Sequence, residues 1–376
     1  MRIIAARLHP FALPLRARWR SAGGHLGERR GWLLELVDSE DRRGWGECAP
    51  LPTHGSEDHA TAIAALTHWC DRIVTLGVDD ALNGLSTTAM TAPPAARAAI
   101  ECALLDLQAR AAKCKLARLL SPAAAPSVAV NAAAGALEDI APARLQKLAA
   151  SGFSVIKLKL GLADPDTEIA ALREACRSLP DGTRLRLDAN AAWDMATAQR
   201  FCRAAAALPI ESLEEPLCAP TLGDLRTLQE ACAFPLAVDE SWSLLDHDAF
   251  FAVPPVRRLM LKLAAQGGIL PAAAIARQAR AAGVDCIVTS GIDGACGILA
   301  AAHLAASLEP GGKDAPGDDG RGTLAHGLAT SGWLEEDNGV VPKIKDGRLQ
   351  LPAGPGLGFE PLLPRQPSAA PASRPA

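Results

Sequence analysis

Five charged residues recur through the middle of the chain at nearly even intervals. Lys159, Asp188, Glu214, Asp239 and Lys262 are separated by 29, 26, 25 and 23 residues. Each lies at the end of a short apolar run, as in Ile156-Lys157-Leu158-Lys159 and Leu185-Arg186-Leu187-Asp188. Three carboxylates brought together suit a hard divalent cation such as Mg²⁺, which takes near-octahedral oxygen ligation and leaves positions for water or substrate. Without a cation, three buried carboxylates would repel one another and raise their own pKa values. The lysines supply the other half of the chemistry. Lys157 and Lys159 flank Leu158, so both ammonium groups leave the same face of a strand. Adjacent, partly desolvated cations favour loss of a proton from one of them, giving an amine able to act as a base. A carboxylate substrate on the metal would place its α-carbon between these lysines and Lys262. That arrangement suits abstraction of a proton next to a carboxylate. Any one of the acids reads equally well as a helix cap; three at even spacing do not.

Such spacing is what repeated strand-helix units require, because one strand, one helix and two loops take about 25 residues. Strand-like runs at 128–131, 153–160, 184–188, 211–214, 236–239, 258–263 and 284–289 alternate with alanine-rich helical segments. An eighth strand is placed near 324–328, after a polar, Gly-rich stretch at 311–322 read as a mobile loop. The fold class is therefore α/β: a modified (β/α)8 barrel, whose active sites sit at the C-terminal ends of the strands. Before residue 126 the alternation is absent. Residues 2–8 form a weak strand, and 9–30, with Pro10, Pro14 and five arginines, read as a basic loop. Residues 16–30 of it are candidates for a lid over an anionic substrate. Residues 32–37 and 44–48 read as two strands around a polar turn, with Gly44 and Gly46 marking close packing. Ser56 is placed as the cap of a helix reaching about residue 76, and 94–120 as one long helix with Ile100, Leu104, Leu105 and Leu107 on its apolar stripe. The division is an α+β cap over 1–125, a barrel over 126–338, a return to the cap over about 339–363, and a disordered Pro/Ala/Ser-rich tail at 364–376.

Composition narrows the partners. Of 376 residues, 49% are hydrophobic and 21% charged, with a net charge of -4, which argues against nucleic acid or an anionic membrane surface. No apolar run of about 18 residues and no signal-like start is present, so the expected location is the cytoplasm. The ten cysteines lie singly, without zinc spacing, and read as reduced core residues. No Gly-x-Ser-x-Gly elbow supports a serine hydrolase.

The order Lys157-x-Lys159, Asp188-Ala189-Asn190, Glu214-Glu215-Pro216, Asp239-Glu240-Ser241 and Lys262 resembles the enolase superfamily, in its muconate-lactonizing branch, over nearly the whole chain. Within the branch, Gly44-Trp45-Gly46-Glu47-Cys48-Ala49-Pro50-Leu51-Pro52 and the stretch from Leu185 to Trp193 are most similar to the o-succinylbenzoate synthase family. The resemblance implies one Mg²⁺ held by Asp188, Glu214 and Asp239, with Lys159 as base. Lys262 would stabilise the resulting enediolate from the opposite face, as is usual for that superfamily. Lys157, Arg186, Asn190, Glu215, Ser290, Gly291 and Asp293 are then expected beside substrate or supporting the ligands. The chain departs from the pattern at Thr289-Ser290-Gly291-Ile292-Asp293, where Ile-Glu-Ser follows a Ser-rich segment in the family. Ala329 stands where the branch often has an acid, and His326 reads as a structural histidine.

The first expectation is a Mg²⁺-dependent carbon-oxygen lyase in menaquinone biosynthesis. It would dehydrate 2-succinyl-6-hydroxy-2,4-cyclohexadiene-1-carboxylate to o-succinylbenzoate. An N-acylamino acid racemase or dipeptide epimerase uses the same two lysines, a muconate-type cycloisomerase is a third reading, and a non-catalytic barrel a fourth. Ala329 weighs against a dipeptide epimerase, which needs acids to hold the substrate ammonium. The intact charged set weighs against a non-catalytic barrel. A small carboxylate is the expected partner in every enzymatic reading; the oligomeric state is left open.

Overall fold

The computed structural model describes residues 1–21, 24–86, 92–309 and 324–362. The stretch 311–322 and the tail from 364 lie outside these residues.

The chain begins with a three-stranded antiparallel meander of β1 (Ile3–Ser21), β2 (Gly24–Asp38) and β3 (Arg43–Cys48). Residues 9–30 are thus not a loop. They are the distal part of a long hairpin, with Pro10 paired to Trp32 and Pro14 to Glu28. The prolines misled because β1 is an edge strand, where a missing N–H costs no ladder bond on the open side. The turn at Asp38–Arg43 is as expected, with the Asp38 carboxylate accepting the N–H groups of Glu40 and Arg42. Gly44 and Gly46 also pack as expected: a Cβ on Gly46 would lie 1.9 Å from the carbonyl oxygen of Ala99.

Helices α1 (His59–Ile73), α2 (Val78–Leu85) and α3 (Pro94–Ala111) pack on this sheet. Asp58, not Ser56, caps α1, accepting from Thr61 N at 2.7 Å, while Ser56 Oγ accepts from Leu51 N. The long helix expected over 94–120 stops at Ala111. Lys113 takes a left-handed φ of 54°, Cys114 N bonds to Ala109 O, and a separate α4 (Leu116–Leu120) follows. No glycine marks this stop, so the sequence pattern runs through it. Helix α3 is buried on nearly every side, because it lies between the meander and the barrel.

The barrel strands are β4 (Ser127–Ala136), β5 (Val155–Lys159), β6 (Arg184–Asp188), β7 (Ile210–Glu214), β8 (Leu236–Val238), β9 (Arg258–Lys262), β10 (Asp285–Thr289) and β11 (His326–Ala329). All pair in parallel in chain order, and β11 closes on β4. The outer helices are α5 (Pro142–Ala150), α6 (Pro165–Arg177), α7 (Met195–Ala205), α8 (Leu222–Glu230), α9 (His247–Ala252), α10 (Leu263–Gln266), α11 (Ile269–Ala281) and α12 (Ala295–Leu308). Strands such as β7 and β9 are buried along their whole length, as a parallel sheet wrapped by helices requires. Afterwards the chain forms a small hairpin, β12 (Ile344–Lys345) and β13 (Arg348–Gln350), with β13 antiparallel to β4. Residues 356–359 continue to the cap, where Leu357 N bonds to Asp106 and Phe359 packs on Trp45.

Candidate active site

Barrel register brings the spaced charges to one end. Lys159 pairs with Asp188 and Asp188 with Glu214, each as the last residue of its strand. Glu214 pairs with Ala237, which sets Asp239 just past the end of β8, and Lys262 ends β9. Strands β5 and β9 are second and sixth of eight, so Lys159 and Lys262 stand on opposite sides of the axis. Between them opens a cavity of about 460 Å³. Several turn residues around it have left-handed backbones: Asn190, Ala191, Glu215 and Ile292 have φ of 44°, 61°, 42° and 63°. Non-glycine residues in this region are strained, and such strain gathers at functional sites.

Lys157 and Lys159 do share a face. Their ammonium groups lie 2.8 and 2.7 Å from Asp188 Oδ2, and Lys157 also bonds Glu214. Lys159 Nζ donates to Asn190 Oδ1 at 2.7 Å and lies 5.6 Å from the Trp19 ring centre. Across the axis, Lys262 Nζ donates to Asp239 Oδ1 and Oδ2 at 2.6 and 2.5 Å. Glu240 Oε1 is 3.4 Å from Lys262, 3.3 Å from His54 Nε2 and 3.3 Å from Asn190 Nδ2.

The electrostatics differ from the sequence expectation for Lys157. Burial alone would lower its pKa, but Asp188, Glu214 and Asp239 outweigh it and hold the ammonium well above the usual lysine range. Burial likewise opposes ionisation of Asp188, and Lys157 with Lys159 overcomes it, leaving the carboxyl well below the usual range. Glu214 is pushed up to about 7, mainly by burial, although Lys157 works in the other direction. Burial, then Lys262 and Lys159, push the His54 imidazole well below the ordinary histidine range, so it is neutral.

The site fits a divalent cation. Asp188, Glu214, Asp239 and Glu240 set four carboxylates against the ammonium groups of Lys157, Lys159 and Lys262. Glu214 Oε1 is buried without a hydrogen bond, with Arg186 Nε 3.7 Å away. The Lys157 ammonium, bridging Asp188 and Glu214, stands in for a cation there. The three acids do not meet as closely as expected: among the described residues, no three His, Cys, Asp or Glu side chains are grouped to hold a metal. Lys157 takes the space between two of them, and Glu214 does not line the cavity.

The supporting residues divide into two sets. Lys157, Asn190, Ser290 and Gly291 line the cavity, with Ser290 Oγ 2.8 Å from Thr330 Oγ1. Arg186, Glu215 and Asp293 do not. Arg186 is wholly buried inside the barrel, donating to Glu211 at 3.0 and 3.2 Å and to Asn131 at 2.9 Å. Glu215 turns outward and accepts the N–H groups of Asp239 and Ser241, fixing the turn that carries Asp239. Asp293 faces Arg29 of the cap. Trp19, His25, Leu51, Thr53, His54 and Glu240 also line the cavity. Trp19 and His25 fall in the 16–30 stretch expected over the substrate, and Leu51 and Glu240 in the family-like segments, whereas Thr53 and His54 had no signal in the sequence. His326 is structural: its Nδ1 accepts from Val288 N within the sheet.

The family model described as "Enolase C-terminal domain-like" matches residues 141–364, and that described as "MenC, N-terminal domain" matches 3–107. The chain belongs to the enolase superfamily, and its barrel and cap are those of an enzyme of the lyase or isomerase kind. Among characterised relatives, the chloromuconate cycloisomerase CbnB of Cupriavidus necator is 29% identical, over 88% of this chain and 89% of that protein. The L-Ala-D/L-Glu epimerase of Bacillus subtilis is 30% identical over 82% and 86%. The o-succinylbenzoate synthase of Enterobacter sp. strain 638 is 29% identical over 81% and 88%. A substrate-liganded structure of the B. subtilis epimerase superimposes with a TM-score of 0.84 and 25% identity, covering 96% of this chain and 99% of that one. A dipeptide epimerase of Enterococcus faecalis, solved with Mg and a dipeptide, shares the fold at a TM-score of 0.83 and 24% identity, covering 96% and 100%. Members of this superfamily bind Mg²⁺. Among the described residues no helix is long and apolar enough to cross a membrane.

Proposed function

We propose that this enzyme removes the proton α to a carboxylate with Lys159, and that its reaction is dehydration of 2-succinyl-6-hydroxy-2,4-cyclohexadiene-1-carboxylate to o-succinylbenzoate. The observation that carries the substrate class is the distribution of acids. The carboxylates lining the cavity are Asp188, Asp239 and Glu240, each in contact with a lysine or histidine. The opposite wall, with Ala133, Gly291, Ile292, Gly327 and Thr330, has none. A dipeptide would bury an unpaired ammonium there, at a cost of several kcal/mol. A carboxylate without an ammonium pays no such penalty, and Trp19 and Leu26 offer a ring an apolar roof. The match of the cap to the MenC domain supports the same choice.

Asp188, Glu214 and Asp239 are the residues that would hold Mg²⁺, which when bound supplies Lewis-acid charge against an enediolate. Lys159 accepts the α-proton only as a neutral amine, so its proton must leave before the step. The same Nζ then returns that proton to the departing hydroxyl, which leaves as water while the ring becomes aromatic. Lys262 contributes positive charge from the other face.

A second reading has its own support. Lysines on opposite sides of the axis suit racemisation of an N-acylamino acid, which also lacks an ammonium. The test is a parallel assay with Mg²⁺ of the cyclohexadiene carboxylate, N-succinylamino acids, L-Ala-L-Glu and muconate. Dehydration at the highest kcat/KM is expected; turnover of the dipeptide alone overturns the proposal.

A further inference from the structure

Two walls of the cavity come from distant parts of the chain. One is the cap segment 49–54, which carries Leu51, Thr53 and His54; the other is the loop after β10, which carries Gly291 and Ile292. Arg29 lies between them. Its side chain is only 2% exposed. Nη2 donates to Ala49 O at 2.6 Å and Nη1 to Pro50 O at 3.1 Å, while Nη2 lies 3.4 Å from Asp293 Oδ1. Asp293 in turn accepts the Gly291 N–H at 3.3 Å. The braced loop is strained, since Ile292 is β-branched and has a φ of 63°. The walls nearly meet, because a Cβ on Gly291 would lie 3.3 Å from Leu51 Cδ2. Arg29 Nε is buried without an acceptor, and Arg29 also lines a second cavity of about 20 Å³ with Ser56, Lys262 and Asp293. That volume has room for one water. A buried guanidinium is costly, and packing alone would be served as well by an apolar side chain.

We infer that Arg29 is a positioning residue that sets substrate selectivity: one guanidinium holds the cap segment 49–54 and the loop 290–293 at a fixed separation, which limits the substrate tail the cavity admits. It touches no reacting atom. It is also unlike its neighbours Arg16, Arg18, Arg20 and Arg30, which are exposed.

Hydrogen-deuterium exchange on the intact chain tests the clamp without any substrate, comparing the parent with Arg29→Met, Arg29→Lys and Asp293→Asn. The reporters are the amides of Leu51, bonded to Ser56, His54, bonded to Leu51, and Gly291, bonded to Asp293. In Arg29→Met both segments should exchange at least about tenfold faster, the effect of losing a charged hydrogen bond, while β6 and β9 stay protected. Arg29→Lys should recover part of the protection. Asp293→Asn should loosen only 290–293, because the bonds to Ala49 and Pro50 remain. Acceleration confined to 49–54 in Arg29→Met, or spread equally over the barrel, overturns the clamp. The consequence for selectivity rests on the function proposed above. With the succinyl-bearing substrate, Arg29→Met should raise KM about tenfold and change kcat less than about threefold, with partial rescue by lysine. Equal losses in kcat and KM overturn the selectivity role. A parent inactive on that substrate would refute the function alone, since the exchange experiment still decides the clamp.

Discussion

Replacing Lys159 with alanine removes both the base and the group that returns the proton. Activity should fall by at least the roughly 10²–10⁴-fold that general base catalysis supplies, with KM little changed, as steady-state kinetics will register. Lys262 distinguishes the two chemistries. If it supplies only charge, Lys262→Arg should retain part of the dehydration activity, although a guanidinium is broader than an ammonium. If it carries protons in a racemase, arginine cannot be deprotonated, and exchange of the α-proton in D₂O should vanish for one enantiomer only. Such one-sided loss, with no dehydration by the parent, would favour the racemase. Glu214 invites a test of the metal that needs no turnover. Glu214→Gln should shrink the rise in Tm that saturating Mg²⁺ gives the parent, because the variant loses a charged ligand while its shape is kept. At this scale the sequence was most informative where chemistry is periodic. Lys157 and Lys159 share a face because strands alternate, and the acids share an end because the units repeat. Glu215 and Arg186 support the ligand set from outside the cavity, as expected, through Asp239 and Glu214. Asp293 turns to Arg29 of the cap, because proximity along the chain does not report which way a side chain turns at a strand end.

Elements position these residues to different degrees of legibility. Seven barrel strands were placed to within a few residues, because each is a short apolar run bounded by turns and buried on both faces. The hairpin was not, since prolines and arginines in an edge strand look like loop. Trp19, His25 and Leu26, on either side of its turn, line the cavity, and the β1 side is tied down. Arg20 pairs with Glu138 at 2.7 Å and Asp139 at 3.5 Å, and Trp19 meets Trp333 edge-on with ring centres 4.6 Å apart. Exposed pairs are individually weak, so Arg20→Ala should leave Tm nearly unchanged yet make residues 16–30 more protease-sensitive in the absence of ligand. Equal cleavage of parent and variant would count against a latch. The meander gives a firmer expectation. Strand β3 packs so closely on α3 that a Cβ at Gly46 would be 1.9 Å from Ala99 O and 2.7 Å from its carbonyl carbon. Backbone cannot yield there without moving the helix, so Gly46→Ala should cost about 1–3 kcal/mol or more, measurable by denaturant unfolding.

The cap, the barrel and the C-terminal segment are joined at His303, a contact no sequence pattern announced. It lies on α12 with no exposure, accepts the Ala117 N–H of α4 at Nδ1 (3.0 Å) and donates from Nε2 to Leu357 O (3.1 Å). Both nitrogens are used by the neutral tautomer, and a second proton would displace the Ala117 bond inside an apolar cluster that also holds Leu304, Leu116 and Leu357. Burial accordingly depresses its pKa from 6.5 to about 4. The folded state therefore binds fewer protons than the unfolded state between those values, and stability is lost as pH falls through that window. For this group alone the loss is on the order of 3 kcal/mol. Glu47 works the opposite way over much of the same range. Burial, and next the Asp293 charge, push it up to about 7, so it favours folding as pH falls toward 4.5. The parent's stability curve thus mixes two opposing slopes, and the difference between parent and His303→Gln isolates one. At pH 7.5 the variant should be less stable by about 1–2 kcal/mol, having lost well-made buried bonds. Toward pH 5 the gap should narrow, and near pH 4 it should close or reverse, since glutamine has no proton to take up. Urea unfolding at four or five pH values measures it, and a gap that stays constant from pH 7.5 to 4 would show that His303 does not couple the junction to protonation.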